Sequence, residues 1–325
     1  MTAAPQTRTR ALLGRSRRWH WAEWLFWAAA FASFFLLPDH HLLLTEIAIL
    51  ALFALSLDLI LGHAGIVSLG HGAFFGLGAY VAGLAAIHWT ADPLAGLALA
   101  ALAAGALGLV SAPLLLIRAN DLTRLMVTLG IAMLLYEAAN RMAWLTGGAD
   151  GLPGVLIDPI LGRFEFDLFG RTGHAYALAV LFVLFLVARR VVTSPFGLSL
   201  QAIRENPLRA ASIGVPVGWR LAAIYALAAV YAGIAGALLV QTTMFVSLDV
   251  AGFHRSADVL LVLVLGGVGY LYGGLVGAIL FKLLHEALST LTPQYWQFWI
   301  GLILVAIVLA APRRLIARLR ERGQR

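Results

Sequence analysis

The sequence predicts an all-α polytopic membrane protein with about ten transmembrane helices, some of them broken or re-entrant. Of its 325 residues, 61% are apolar and only 12% are charged, and the mean hydropathy is +0.89. Soluble domains average about 45–50% apolar and about 25% charged residues, so a soluble class is excluded. Cysteine is absent, which excludes disulfides, thiolate metal ligands and a cysteine nucleophile.

Ten apolar stretches reach the roughly 20 residues that a helix needs to cross the hydrocarbon core. Only a short uncharged linker separates the eighth stretch from the ninth, so a single broken or re-entrant element is the alternative there. The predicted spans are residues 20–37, 42–61, 71–90, 94–117, 124–144, 174–190, 218–241, 256–272, 274–291 and 295–312.

The distribution of Lys and Arg places both termini in the cytoplasm. Of the 23 basic residues, 18 fall on the predicted cytoplasmic side and four, including Arg255, on the external side, while Lys282 lies within a span. These residues adjoin apolar spans, which is typical of a membrane protein and not of a nucleic-acid-binding surface. No small-residue cleavage site precedes Pro38, so an uncleaved first span is favoured over a signal peptide. The chain divides into a basic cytoplasmic tail at 1–19, a transmembrane domain at 20–312 and a basic cytoplasmic tail at 313–325.

Glycines are concentrated between Asp58 and Tyr80, where the sequence reads DLILGHAGIVSLGHGAFFGLGAY. Glycine weakens a helix interior by roughly 1 kcal/mol relative to alanine and lets backbones approach closely. The stretch is therefore either the lining of a passage or a close packing seam between helices. Its glycine spacing, G-x-x-G-x-x-x-x-G, occurs a second time later in the chain, and coincidence explains this more readily than an internal repeat. The two copies are Gly62, Gly65, Gly70 and Gly266, Gly269, Gly274.

Some ionisable residues inside the spans have partners nearby in the sequence. Glu137 and Arg141 stand four residues apart, as do Lys282 and Glu286. Opposite charges at this spacing are neighbours on a helix surface, so both pairs are predicted to neutralise one another.

Three acidic residues within spans, Glu46, Asp58 and Asp258, have no partner nearby in the sequence. Charge is costly in hydrocarbon, so such residues are candidates for function. Asp58 precedes the glycine stretch by one turn, and its carboxylate is expected to hold a backbone group there. His63 and His71 supply too few donors for a tetrahedral metal site. We therefore expect no catalytic, cofactor-binding or metal-binding residue in this chain.

The predicted cytoplasmic segment 194–217 combines apolar residues at partly helical spacing with polar and basic residues. Pro207 is costly inside a helix, so two short helices are expected to meet near Asn206. Such a basic element suits docking to a partner protein, and a solvated loop is the plainer interpretation. On the opposite side, the predicted external loop 145–173 begins with residues that are expected to form a turn. They are Gly147, Gly148, Asp150 and Gly151.

Four motifs in order resemble the membrane permeases of branched-chain amino acid ABC importers of the LivM type. They are the glycine stretch, TGGADGLPGV in the external loop, LSLQAIRENPLRAASIGV in the cytoplasmic segment, and the late LVLVLGGVGYLYGGLVGAIL. The resemblance spans about residues 42–312. It implies a multi-pass protein of the bacterial cytoplasmic membrane, surrounded by lipid, which forms a solute pathway with a second homologous permease. It further implies two cytoplasmic ABC ATPases, which bind ATP and Mg, and an external substrate-binding protein.

The resemblance also assigns roles to residues. No G-x-x-x-x-G-K-[ST] phosphate loop is present, which agrees with ATP hydrolysis on separate subunits and with a chain that is not itself an enzyme. The solute is a branched-chain amino acid or a similar small polar molecule, with urea, amides or aromatic acids as alternatives in the same family. An ion-coupled secondary carrier is a more distant alternative. The implied ATPase-coupling residues are Gln201, Arg204, Glu205, Asn206, Pro207, Ala210 and Gly214. The candidate pathway residues are Gly65, Ser68, Gly70, His71, Gly72, Gly266, Gly267 and Gly269, and the external turn belongs to the face that receives the binding protein.

Overall fold

The computed structural model describes residues 20–116, 121–291, 293–295, 297–303 and 305–306. The predicted tails at 1–19 and 313–325 lie outside these residues, as does the end of the predicted span 295–312. The main helices are α1 (Trp21–Leu36), α2 (His41–Asp58), α3 (His71–His88), α4 (Pro93–Leu116), α5 (Asp121–Arg141), α6 (Arg171–Val192), α7 (Pro195–Glu205), α8 (Pro207–Ser212), α9 (Val217–Thr243), α10 (Phe253–Gly266) and α11 (Leu271–Leu291).

Seven helices in the described part of the chain are long and apolar enough to cross a membrane. An apolar helix satisfies its own backbone hydrogen bonds, which lipid cannot do, so these sequences fold as helices. The all-α polytopic membrane class is therefore confirmed. The α1 helix is apolar but shorter, and the spanning helices are α2 with its flanking turns, α3, α4, α5, α6, α9 and α11.

The predicted span 256–272 is wrong as a continuous helix. The α10 helix has 14 residues and extends about 21 Å, less than the roughly 30 Å of the hydrocarbon core. It follows a short 3-10 turn at Leu248–Ala251 and ends before Gly267, which has a φ of +99°. The broken alternative describes this region, because glycine adopts the left-handed conformation that interrupts the helix.

Proline sets where two of the spanning segments begin. Pro38 opens the turn that leads into α2, and α4 begins at Pro93. The Asp92 carboxylate accepts a hydrogen bond from the Leu94 N–H at 3.1 Å, which satisfies one of the free donors of the first turn. Proline suits this position because it lacks an N–H that the first turn would leave unpaired.

The α9 helix lies at the centre of the bundle, packed against α3 and α4. Small residues make this contact possible. A Cβ on Gly236 would overlap the Phe75 carbonyl and lie 3.0 Å from the Ala79 nitrogen, and Gly78 meets Gly233 in the same way. The helical half of the glycine stretch is therefore a packing seam within this chain.

The other half of the glycine stretch is not an ordinary helix. After Asp58 the chain makes a π-helical turn at Leu59–His63 and then runs without helix to Gly70. Wide turns of this kind are rare and occur often at functional sites. The break directs attention to the contacts that Asp58 and the following glycines make.

Candidate functional site

Two glycine-rich segments from distant parts of the sequence touch each other. The Gly269 N–H donates a hydrogen bond to Asp58 Oδ1 at 2.7 Å, and a Cβ on Gly62 would lie 2.7 Å from the Gly269 nitrogen. Gly65 and Gly269 hold equivalent places in the two copies of the glycine spacing, and both are left-handed, with φ of +73° and +86°. We call these segments, residues 58–70 and 266–270, the glycine junction.

Asp58 is the anchor of the glycine junction. Its side chain is completely buried, and the His63 Nδ1 atom lies 3.6 Å from its Oδ2 atom. Asp58 does hold a backbone group, as predicted, but that group is the Gly269 N–H of the second glycine segment and not one in the stretch that follows Asp58. A buried carboxylate that accepts a backbone N–H fixes the separation of the two segments, because losing either partner leaves a polar group unpaired.

Arg204 connects the glycine junction to the cytoplasmic segment. Its guanidinium donates a hydrogen bond to the Gly62 carbonyl in the π-helical turn. A Cβ on Gly65 would lie 2.9 Å from the Arg204 Cγ atom, and one on Gly269 would lie 3.4 Å from its Nη1 atom. The side chain therefore lies across both glycine segments, and the absence of side chains at these positions makes room for it.

The cytoplasmic segment consists of α7 and α8, which confirms the predicted pair of short helices. Asn206 separates them, and its Oδ1 atom caps α8 by accepting the Arg209 N–H at 2.9 Å. Pro207 is the first residue of α8, where it costs no hydrogen bond. Ile203 and Ala210 are buried and attach the pair to the bundle. Gly214 has a φ of +88° and open space around it. The candidate coupling residues other than Ala210 are exposed at the surface; they are Gln201, Arg204, Glu205, Asn206, Pro207 and Gly214.

Several of the candidate pathway residues are packed inside this chain. His71 is buried, its ring stacks on Phe53, and its Nε2 atom lies 2.8 Å from Ser56 Oγ. The Gly72 N–H donates to the Ser256 hydroxyl at 2.8 Å. Ser68 is buried, and its hydroxyl has no hydrogen-bond partner among the described residues. Gly70 packs on the Thr128 backbone, and Gly266 packs on Gly273 and Gly277. Their role in translocation stays a prediction.

One of the two predicted ion pairs within spans forms. Arg141 Nε lies 2.6 Å from Glu137 Oε1, as predicted. Lys282 instead contacts Glu46, at 2.5 Å, and the predicted pair with Glu286 is wrong. The α2 and α11 helices pack side by side, so Lys282 finds its partner across the helix interface.

A cavity with charged walls lies between α2, α3, α9, α10 and α11. Its volume is about 270 Å³, and Arg255, Asp258, Lys282 and Glu46 are among its lining residues. The charge count assigned Arg255 to the external side, which stays a prediction; in the structure it lies in the first turn of α10, beside the Ser256 that contacts Gly72. The sequence showed that charged residues occur within apolar stretches, which was the available signal for this cavity. It did not show that these charged residues line the same cavity.

The external turn forms as predicted. Gly147, Gly148 and Gly151 all have positive φ, and a 3-10 turn spans Gly148–Asp150. The turn is held against the segment that precedes α10, because the N–H of the next residue, Leu152, donates to the Val246 carbonyl at 2.7 Å. Contact between the turn and a binding protein stays a prediction.

Comparison with known proteins decides the family. Residues 41–308 match the family described as "Branched-chain amino acid transport system / permease component". The chain belongs to this family. It is 29% identical over 293 residues to the high-affinity branched-chain amino acid transport system permease protein LivM of Escherichia coli K12, covering 82% of this chain and 67% of the relative. No solved structure matches it.

Two further relatives come from Salmonella typhimurium. The LivM protein of that organism is 29% identical over 300 residues, covering 84% of this chain and 68% of the relative. The galactose/methyl galactoside import permease protein MglC is 29% identical over 234 residues, covering 67% of each chain.

The chain is therefore a permease subunit of an ABC importer and a multi-pass protein of the bacterial inner membrane. Members of this family are transport components and not enzymes themselves.

Proposed function

We propose that this chain and a second homologous permease form the pathway of an importer for branched-chain amino acids. Two cytoplasmic ABC ATPases, which bind ATP and Mg, power it, and an external binding protein delivers the solute. The two LivM relatives match 82% and 84% of this chain, against 67% for the relative named for galactose. The larger overlap supports an amino acid over a sugar.

The single observation that carries the coupling role is the contact of Arg204 with the Gly62 carbonyl. Arg204 belongs to α7 on the cytoplasmic face, and Gly62 belongs to the π-helical turn that ends α2. A displacement of α7 by a bound ATPase would pull on this turn, and through Asp58 on the segment between α10 and α11. ATP binding would thus move the end of α2 and the start of α11 through the single side chain of Arg204.

The exposed surface of the α7–α8 pair supports docking to another protein. Leu208 and Ile213 are apolar residues of a cytoplasmic segment, yet they are 83% and 71% exposed. Exposed apolar residues with charged neighbours, here Glu205 and Arg209, are typical of a surface that a partner covers. An ATPase groove would bury them.

The test compares Arg204→Gln with Arg190→Gln in the purified complex, reconstituted in proteoliposomes with its ATPases and binding protein. Arg190 is an exposed arginine at the end of α6 and makes no contact with the glycine junction, so its substitution controls for the lost charge. A hydrogen bond to a charged group contributes about 1.5–3 kcal/mol, so leucine imported per ATP hydrolysed should fall about tenfold or more in Arg204→Gln alone. Equal ratios in wild type and Arg204→Gln would overturn the coupling role.

A further inference from the structure

The charged cavity is lined by ionisable groups from three different helices, α2, α10 and α11. Glu46, Lys282 and His285 line it from the spanning helices α2 and α11, where charge is costly and marks candidates for function. Arg255 and Asp258 line it from the shorter α10. Lys282 and Glu46 form an ion pair, which accounts for one acid and one base. The remaining charges require a separate explanation.

Arg255 and Asp258 are the charges without fixed partners. They stand three residues apart on α10, so they lie on the same face of the helix. In the described part of the chain neither side chain has a hydrogen-bond or ion-pair partner, and Asp258 interacts electrostatically with Arg255 on its own helix and with Lys282 across the cavity. An acid and a base on one wall, neither engaged directly, are complementary to a ligand that carries both charges.

The other walls of the cavity are apolar. Phe53, Phe75 and Leu239 face it. Its volume, about 270 Å³, lies just below the range for drug-sized small-molecule sites, roughly 300–1,000 Å³. A small molecule with one compact aliphatic group fits these dimensions and this lining.

Arg255 and Asp258 also line an adjoining cavity, of about 460 Å³, together with Met133 and Tyr136 of α5. The α5 helix is the least buried of the spanning helices in the described chain. The two cavities therefore share the wall formed by Arg255 and Asp258, and the second cavity extends from that wall towards α5.

We infer that this pair of cavities is a binding site, within the permease itself, for a zwitterionic α-amino acid with an aliphatic side chain. Arg255 binds the carboxylate, Asp258 binds the ammonium group, and the wall formed by Phe53 and Phe75 receives the side chain. The inference rests on the proposed amino acid importer and adds that the membrane subunit recognises the solute directly.

The experiment measures binding to the complex of both permeases and the ATPases without the binding protein, so that only the membrane site is reported. The probes are leucine, leucinamide, which lacks the carboxylate, and isocaproate, which lacks the ammonium group. Each missing charged hydrogen bond should weaken binding to the wild type about tenfold or more. Arg255→Gln should lose only the preference for leucine over leucinamide and keep the preference for leucine over isocaproate. Asp258→Asn should lose only the preference for leucine over isocaproate and keep the preference for leucine over leucinamide.

Arg141→Gln and Glu137→Gln are the matched controls, because they remove the same charges from an exposed ion pair outside both cavities. Both should keep both preferences. If the wild-type complex with its binding protein imports no branched-chain amino acid, the proposed function fails and the inference with it. If leucine is imported, but the membrane complex does not bind it or the two variants keep both preferences, the inference alone is overturned.

Discussion

Replacing Gly62 by alanine tests the glycine junction with the smallest possible change. Gly62 does not have a positive φ, so alanine is compatible with its backbone conformation. The added Cβ, however, would overlap the Asp58 carboxylate and lie 2.7 Å from the Gly269 nitrogen. It must therefore displace the hydrogen bond between Asp58 and Gly269 or push the two segments apart.

The expected magnitude follows from that hydrogen bond. A bond to a charged group contributes about 1.5–3 kcal/mol, which corresponds to roughly a 10- to 150-fold change in the population of the closed junction. Overpacking of a tight contact typically costs about 1–3 kcal/mol, which is the same order. Leucine imported per ATP hydrolysed should fall at least about tenfold in Gly62→Ala, while the protein still inserts in the membrane.

The control is Gly130→Ala. A Cβ on Gly130 in α5 would meet nothing within 4 Å, and alanine favours a helix over glycine by about 0.5–1 kcal/mol. That variant should therefore import leucine as the wild type does. The assay compares membrane levels, ATP hydrolysis and leucine uptake of the two variants in the same proteoliposomes. If Gly62→Ala behaves like Gly130→Ala, the junction does not carry coupling.

Two further predictions concern other parts of the site. Gly70→Leu and Gly72→Leu place a large side chain against the Thr128 backbone and the Ser256 side chain, so uptake should be abolished while immunoblots of membranes show normal insertion; survival of uptake in both would place the pathway elsewhere. Asn206→Ala removes the cap of α8 at a cost of about 0.5–2 kcal/mol, so fewer ATPase subunits should co-purify with it. Asn206→Asp, which keeps the cap, should retain them, and equal yields from all three proteins would contradict a docking role for α8.

Local signals in the sequence predicted much of this architecture. Pro207 predicted two short helices because the effect of a proline without an N–H is local to a few residues. The Glu137–Arg141 pair formed because its spacing alone brings the charges together on one helix. Asp58 was expected to hold a backbone group because it has no partner nearby in the sequence and precedes the glycine stretch by one turn.

Contacts between distant helices could not be predicted in the same way. The partner of Asp58 is Gly269 and that of Lys282 is Glu46, and both depend on how helices pack, which periodicity does not encode. The interruption after Gly266 was harder to place than a proline break, because glycines also serve as packing surfaces in membrane helices. The shared left-handed conformation of Gly65 and Gly269 could be interpreted only once the structure placed both glycines against the Arg204 side chain.

The central claim is that ATP binding moves the glycine junction through Arg204. The chain has no cysteine, so spin labels can be attached through single introduced cysteines at Tyr270 and Leu122, which are 74% and 65% exposed. Pulsed electron paramagnetic resonance then measures the distance between the second glycine segment and the start of α5 in the assembled complex. We predict that ATP shifts this distance in the otherwise wild-type protein and leaves it unchanged when Arg204→Gln is added. The same ATP-dependent shift in both proteins would contradict the claim.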